Sequence, residues 1–86
     1  MPYNLRVLKA LADETRVQIL LFLLKKENSV LEIVGAVKMS QPTISIALQK
    51  LEDAGLIAAR KEGKKVFYSV IERETVQKIL ELVKHG

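Results

Sequence analysis

Apolar residues recur at helical spacing over five stretches of the chain, and this pattern predicts five α-helices. The stretches are residues 3–12, 13–26, 30–37, 41–54 and 72–85. The second is apolar almost all round between Ile19 and Leu24. A helix that is apolar all round has no polar face for solvent, so we expect this helix to be buried on most sides.

The period of the pattern changes between the fourth and fifth predicted helices. Leu56–Lys61 and Val66–Ile71 are extended segments rich in β-forming residues, separated by Glu62–Lys65. This arrangement predicts a β-hairpin with a basic tip. The expected fold is therefore mainly α-helical with a small β-hairpin, in the order α-α-α-α-β-β-α. That order is a winged helix-turn-helix, and we expect residues 1–86 to form one such domain.

Capping residues support the predicted helix ends. Asp13 is a candidate N-cap for the second helix, and Ser29 with Glu32 forms a capping box before the third. Ser40 can cap the fourth helix, and Gly55 supplies a left-handed residue at its end. A short helix, a tight connection and a second helix follow one another here, as in a helix-turn-helix.

The fourth predicted helix has an apolar inner face and a polar outer face. The inner positions are Ile44, Ala47, Leu48 and Leu51, and the outer ones are Pro42, Ser45, Ile46 and Gln49. The outer face carries small polar groups and an amide rather than Glu/Lys pairs. Such a face suits a groove lined with hydrogen-bonding edges, and double-stranded DNA offers one.

Composition favours a small binding domain with an anionic partner. The chain has 86 residues and a formal charge of +4. It has no cysteine, which excludes disulfides, thiolate metal sites and thiol redox sensing. Met1–Lys9 lacks the apolar run of a signal peptide, and the Ile19–Leu24 run is too short to span a membrane. We expect a cytoplasmic protein that binds no membrane and, since no catalytic constellation stands out, is not an enzyme.

Three separated motifs resemble the ArsR/SmtB family of bacterial and archaeal repressors. Residues 11–20 read LADETRVQIL, which is similar to the family's opening motif L-A-D-x-T-R-x-x-I-L. Residues 40–45 read SQPTIS, which resembles the family's recognition helix. Residues 51–57 and 60–68, LEDAGLI and RKEGKKVFY, resemble its helix end and wing. The resemblance covers roughly residues 5–71 and implies a dimeric DNA-binding repressor.

The outward positions of the fourth helix are the candidate base-reading residues. Four side chains can donate to and accept from base edges, namely Gln41, Thr43, Ser45 and Gln49. Ile46 can contact a thymine methyl group. A solvated helix face is the other interpretation, and the family resemblance favours DNA. The family usually has a basic or polar residue at Ile46 and a histidine at Ala47, so base preference does not transfer. The candidate DNA-binding residues are Lys38, Ser40, Gln41, Pro42, Thr43, Ser45, Ile46, Gln49, Lys50, Arg60, Lys61, Lys64 and Lys65.

Basic residues cluster in the predicted hairpin against a single acid, Glu62. They are Arg60, Lys61, Lys64 and Lys65. One interpretation is a wing that grips phosphates and thereby positions the protein. The other is a charged tip that discourages edge-to-edge strand pairing. The position of the cluster after a candidate recognition helix favours the first interpretation.

The first and last predicted helices carry apolar stripes. The stripe residues are Leu5 and Leu8 in the first helix, and Val76, Ile79, Leu80 and Val83 in the last. The last stripe could close the core of one chain. The domain is too small to bury all its apolar residues, however, and the resemblance implies a two-fold dimer built from these helices. We therefore expect helices 3–12 and 72–85 to form a homodimer that binds a near-palindromic operator.

No metal site or cofactor is expected. Metal-sensing members of the family use a C-x-C motif in the third helix or acidic and histidine residues on the last. This chain has Val30 and Leu31 at the first place, and Glu72, Glu74, Glu81 and a lone His85 at the second. These side chains do not make a convincing tetrahedral set within one chain.

An alternative function of a different class uses the same surface. Winged helices also serve as protein-interaction modules, and an exposed Ile46 could be an apolar anchor for a protein partner. Salt separates the two, because binding through phosphates weakens steeply with salt and binding through an apolar interface does not.

Overall fold

A computed structural model describes residues 4–85 and the side chains of residues 4–83. Within this part of the chain there are five helices and three strands. In chain order they are α1 (Leu5–Ala10), α2 (Glu14–Lys25), β1 (Asn28–Ser29), α3 (Val30–Val37), α4 (Gln41–Asp53), β2 (Ile57–Glu62), β3 (Lys65–Val70) and α5 (Arg73–His85). The predicted winged helix-turn-helix is confirmed. The first helix is shorter than expected, and residue 3 of its predicted range lies outside the described residues.

The sheet has one strand more than the predicted hairpin. Its order is β1-β3-β2, and both pairings are antiparallel. β2 and β3 form the wing, in which Gly63 has φ 63° at the first turn position, where a two-residue hairpin turn favours glycine. β1 pairs Asn28 with Tyr68 and Ser29 with Phe67. The wing is therefore attached to the segment that leads directly into α3.

The core forms around α2, as its pattern predicts. Ile19, Leu20 and Leu23 of α2 are fully buried. They belong to one cluster with side chains from α3, α4, β2, β3 and α5: Ile33, Ile44, Leu48, Leu51, Ile57, Val70, Val76 and Leu80. This packing holds the inner face of α4 against the rest of the domain and turns its other face outward.

The predicted caps are confirmed. The Asp13 carboxylate accepts a hydrogen bond from the Arg16 backbone N–H at 3.0 Å, and Ser29 and Glu32 complete their capping box. Ser40 caps α4, and Gly55 follows that helix with φ 77°. These local bonds set where α2, α3 and α4 begin.

Two arginines tie the outer helices to α2. The Arg16 Nε donates to the carbonyl of Ala10 and its Nη2 to the carbonyl of Lys9, both at 2.9 Å. These bonds supply donors to carbonyls at the end of α1, where the Lys9 carbonyl also accepts from the Ala12 N–H. In the same way, the Arg73 guanidinium donates to the carbonyls of Leu23 and Leu24, and so ties the start of α5 to α2.

The stripe on α5 is divided between core and surface, which corrects the expected dimer contacts. Val76 and Leu80 are each 3% exposed and pack in the core of their own chain, so they leave almost no surface for a partner to cover. The prediction was wrong for these two because α5 must cover α2. Ile79 is half-buried, while Val83 is exposed together with its neighbour Leu82.

A candidate nucleic-acid interface

The outward face of α4 presents the polar residues that its pattern predicts. Gln41, Pro42, Ser45, Ile46, Gln49 and Lys50 are exposed, and Thr43 is half-buried. The four inner residues of the same helix are buried. We call the exposed positions 42, 45, 46 and 49 the reading face. All four of its side chains are exposed at the surface of the domain.

Some polar side chains of α4 are already engaged. The Ser40 hydroxyl donates to the Thr43 hydroxyl at 2.9 Å and accepts from the Thr43 backbone N–H at 3.4 Å, so this pair stabilises the helix start. The Gln49 amide donates to the Asp53 carboxylate at 2.9 Å. Across the described residues, Gln41 and Ser45 have no such side-chain partner, which leaves them the freest polar groups on this side of α4.

The wing and α4 line a common groove of about 400 Å³. Gln41 and Ser45 form one wall, and Lys64 and Lys65 at the wing tip form the other. The first turn of α3 closes one end of this wing groove with Leu31 and Glu32, among others. The structure therefore brings two candidate base-reading residues and two candidate phosphate contacts to one place.

Arg60 is not a free cation in this arrangement. Its guanidinium lies 5.0 Å from the centre of the Phe67 ring and pairs with Glu27 at 2.6 Å and Glu62 at 2.5 Å. The hydrogen bond from Arg60 lowers the pKa of Glu27 from its ordinary value, and the two carboxylates raise the pKa of Arg60. The sequence indicated only Glu62 as a partner of Arg60. Glu27 lies far away in the chain and comes near Arg60 only because β1, which follows it, joins the sheet.

The remaining predicted cations lie around the edges of the surface. Lys61 is exposed on β2 opposite Val66, and Lys38 follows α3 with a left-handed φ of 61°. Lys50 lies on the flank of α4 away from the wing groove, beside α1. None of these three is brought into the wing groove.

Leu31 is an exposed apolar residue at the start of α3 that was not a candidate for this interface at the level of sequence. Its side chain is 71% exposed and lines the wing groove. Ile46 on the reading face is a second exposed apolar side chain, at 60%. Ser29, two residues before Leu31, pairs with Phe67 of β3, so the first turn of α3 lies beside the wing. The Ser29 N–H and hydroxyl both donate to Glu32, which lowers the pKa of that carboxyl.

The described residues hold no group of three or more histidine and acidic side chains near enough to share a metal ion. This finding covers only the described residues, so the expected absence of a metal site stays a prediction. None of the helices between residues 4 and 85 combines the length and apolar character needed to cross a membrane.

Comparisons with known proteins show the family to which the chain belongs. The model of the arsR family of bacterial regulatory proteins matches residues 13–59. The transcriptional activator HlyU of Vibrio cholerae is 42% identical over 77 residues, which cover 90% of this chain and 70% of HlyU. A "probable mercury resistance operon repressor" of Streptomyces lividans is 45% identical over 65 residues. The match covers 76% of this chain, but the chain spans only about half of that repressor, 52%.

Solved structures show the same fold. The homodimeric winged helix-turn-helix DNA-binding domain of a possible ArsR-family regulator from Mycobacterium bovis superposes with a TM-score of 0.80 at 40% identity, covering 92% of this chain and 72% of that one. Reduced HlyU from Vibrio cholerae gives 0.82 at 40% identity, covering 94% and 84%. The family model spans more than half of the chain, and the relatives are regulators rather than enzymes. This chain therefore belongs to the ArsR family of winged helix-turn-helix transcriptional regulators.

Proposed function

We propose that this protein binds a specific, near-palindromic double-stranded DNA site as a homodimer and represses transcription there. The observation that carries the proposal is the wing groove, where Gln41 and Ser45 of α4 face Lys64 and Lys65 of the wing. A partner that offers hydrogen-bonding edges beside a row of negative charges fits both walls. Double-stranded DNA is such a partner, because its major groove is about 12 Å wide, presents base edges and is bordered by phosphates.

Base reading falls to the outward side chains of α4. Gln41 can pair with adenine through its amide, and Ser45 can bond to more than one base edge. Ile46 offers an apolar contact for a thymine methyl group. Lys64 and Lys65 bind phosphates and set the position of the helix without reading sequence.

Dimerisation is supported by apolar side chains that the single chain leaves uncovered. Leu5 and Leu8 on α1 and Leu82 and Val83 on α5 are all at least half exposed. The similar domain from Mycobacterium bovis is described as homodimeric. Two copies related by a two-fold axis present two reading faces to a palindrome, with half-site centres one or more helical turns apart, about 34 Å per turn. A regulator of this kind acts on the chromosome, in the cytoplasm.

Repression without a conventional metal sensor completes the proposal. The absence of cysteine from the sequence supports it, because thiolates are the preferred ligands of soft metals. Zinc, cadmium or arsenite should then change neither the mass of the dimer nor its affinity for DNA. Metal-dependent release from DNA would contradict this part of the proposal and indicate a site shared between subunits.

Selection of bound sequences from random double-stranded DNA tests the main proposal. We expect enrichment of a near-palindrome and binding that weakens steeply with salt, since each phosphate contact releases bound counterions. If no sequence is enriched, and retention on DNA is no stronger than that of an unrelated protein of equal charge, sequence-specific DNA binding is wrong.

A protein-interaction module remains the second candidate, because Leu31 and Ile46 expose apolar surface beside the wing groove. A protein held there would bind through desolvated apolar contacts, and its affinity would change little between low and high salt. The salt dependence measured on the natural partner therefore decides between the two functions.

A further inference from the structure

A second groove lies on the other flank of α4, between that helix and α1. Its volume is about 720 Å³, larger than that of the wing groove, and it is open to solvent. Arg6 and Lys9 line it from α1, and Lys50 and Asp53 line it from α4. We call it the α1 groove. None of its α1 residues was a candidate at the level of sequence.

The charge of the α1 groove is positive after its internal bonds are counted. Arg16 also lines it, but its guanidinium donates to the carbonyls of Lys9 and Ala10 and lies 3.9 Å from the Asp13 carboxylate, which offsets its charge. The one acid among its described lining residues, Asp53, accepts a hydrogen bond from Gln49. Arg6, Lys9 and Lys50 are exposed, and no acidic side chain among the described residues pairs with them.

The α1 groove and the wing groove lie on opposite sides of the reading face. At about 100° per residue, Lys50 is roughly 140° around α4 from Ser45. Ile46 and Gln49 of the reading face lie between these two positions. A helix inserted into the major groove has a sugar–phosphate strand on each side of it. Cations on only one flank would neutralise only one of these strands.

We propose that Arg6 and Lys9, together with Lys50, bind the phosphates of the DNA strand opposite the one that the wing tip contacts. This inference rests on the proposed function, because it assumes that α4 enters the major groove. The inference gives α1 two surfaces. The apolar Leu5 and Leu8 of α1 are exposed for a partner subunit, while the basic Arg6 and Lys9 of α1 line the groove beside the DNA.

The test is the double variant Arg6→Gln with Lys9→Gln, assayed on a duplex selected by the wild-type protein. Affinity should fall, and the slope of log K against log salt should flatten by about one unit for each phosphate that is no longer neutralised, so by up to about four for two subunits. The ratio of affinities for the selected and a scrambled duplex should stay constant, because phosphate contacts carry no sequence information. Ethylation interference should lose one cluster of phosphates and keep the cluster that depends on Lys64 and Lys65.

A matched control removes the same charge elsewhere. Lys25→Gln with Lys78→Gln changes two exposed lysines on α2 and α5 that line neither of the two grooves. This control should keep the wild-type slope and the complete interference pattern. Equal thermal midpoints for the two double variants and the wild type will show that the fold is intact.

The outcomes separate this inference from the proposed function. If the wild type binds a selected duplex and the α1 variant keeps its slope and footprint, the α1 groove does not bind DNA. If the wild type selects no DNA, the proposed function fails first and the inference fails with it. Titration with inorganic phosphate at constant ionic strength, followed by NMR, tests whether the α1 groove binds a free anion. Saturable shifts confined to residues 6, 9 and 50, together with an unchanged DNA salt slope and footprint in the α1 variant, would overturn the DNA assignment in favour of a small phosphate ligand.

Discussion

Side chains on the outward side of α4 differ in how firmly the protein itself holds them. Gln49 is bonded to Asp53, and Thr43 is bonded to Ser40, so each must give up or share a bond to contact a base. Gln41 and Ser45 face the wing groove without such a partner in the described chain. Unengaged donors and acceptors give up no protein bond when they bond to DNA, so these two residues should contribute most to base discrimination.

Replacing Gln41 or Ser45 with alanine should therefore reduce discrimination between the selected duplex and a mutated one by about 1–3 kcal/mol. Competition binding on the two duplexes measures this difference. The matched control is Gln18→Ala, which removes an exposed glutamine from α2, where its only side-chain bond in the described residues is to Glu14. If both α4 variants keep the wild-type preference, this helix does not read the sequence.

The bond within α4 could be read from the chain, whereas the ion pair of Arg60 with Glu27 could not. Gln49 and Asp53 are four residues apart, the spacing that puts two helical side chains side by side. Arg60 and Glu27 meet only because β1 joins the sheet beside β3. A pairing between distant residues has no local signal in the sequence.

At the level of elements, the wing carries two groups of cations with different roles. Lys64 and Lys65 lie at the tip and line the wing groove. Arg60 lies farther back, above Phe67, and is neutralised by two carboxylates. Phosphate binding should depend mainly on the tip.

Lys64→Ala combined with Lys65→Ala should weaken binding to all DNA sequences alike. The log–log salt slope should flatten by about one unit for each phosphate that the tip no longer binds, measured by fluorescence anisotropy across a salt series. Lys25→Ala with Lys78→Ala, two exposed lysines that line neither groove, is the control and should leave the slope unchanged. A slope that survives the wing variant would show that the tip is merely solvated.

Glu27→Gln should strengthen binding to DNA of any sequence and steepen its salt dependence, because it removes one of the two carboxylates that pair with Arg60. The pKa of Glu27 is held below its ordinary value, so the ion pair is complete at neutral pH and is lost only as the pH falls through that lowered pKa. Glu81→Gln on α5 makes the same charge change away from the wing. If the two variants bind DNA equally well, Arg60 does not contact DNA.

Periodicity was sufficient to predict every helix and the hairpin, but it missed β1. A strand of two polar residues, Asn28 and Ser29, shows no alternation that could be detected. It exists because β3 offers a free edge to the segment before α3. Hydrophobic spacing on α5 likewise could not tell which stripe residues would be covered by α2 and which would stay exposed.

The whole molecule leaves apolar surface at α1 and at the far end of α5. Leu82 and Val83 are exposed, whereas Leu80, within the same turn of the helix, is buried in the core. Positions 80 and 83 therefore separate folding from assembly. A substitution at Val83 tests the proposed dimer, and one at Leu80 tests the monomer core.

Val83→Asp should split the dimer and leave the fold intact, because it places a charge in the proposed interface at a cost of several kcal/mol. Light scattering should report half the mass, and DNA affinity should fall because one half-site supplies half the contacts. Leu80→Asp should instead lower the thermal midpoint sharply, since the charge is buried in the core. A wild type that is monomeric in solution would contradict the dimer.

Ser29 belongs to two elements at once. Its backbone pairs with Phe67 in the sheet, and its N–H and hydroxyl close the capping box with Glu32 at the start of α3. The wing cannot slide without disturbing the first turn of α3, so the two sides of the wing groove are coupled. Rigid groups lose less conformational freedom on association than flexible ones. The backbone around the wing groove is thus ordered when the chain folds, so a ligand that binds there has little of that backbone left to order.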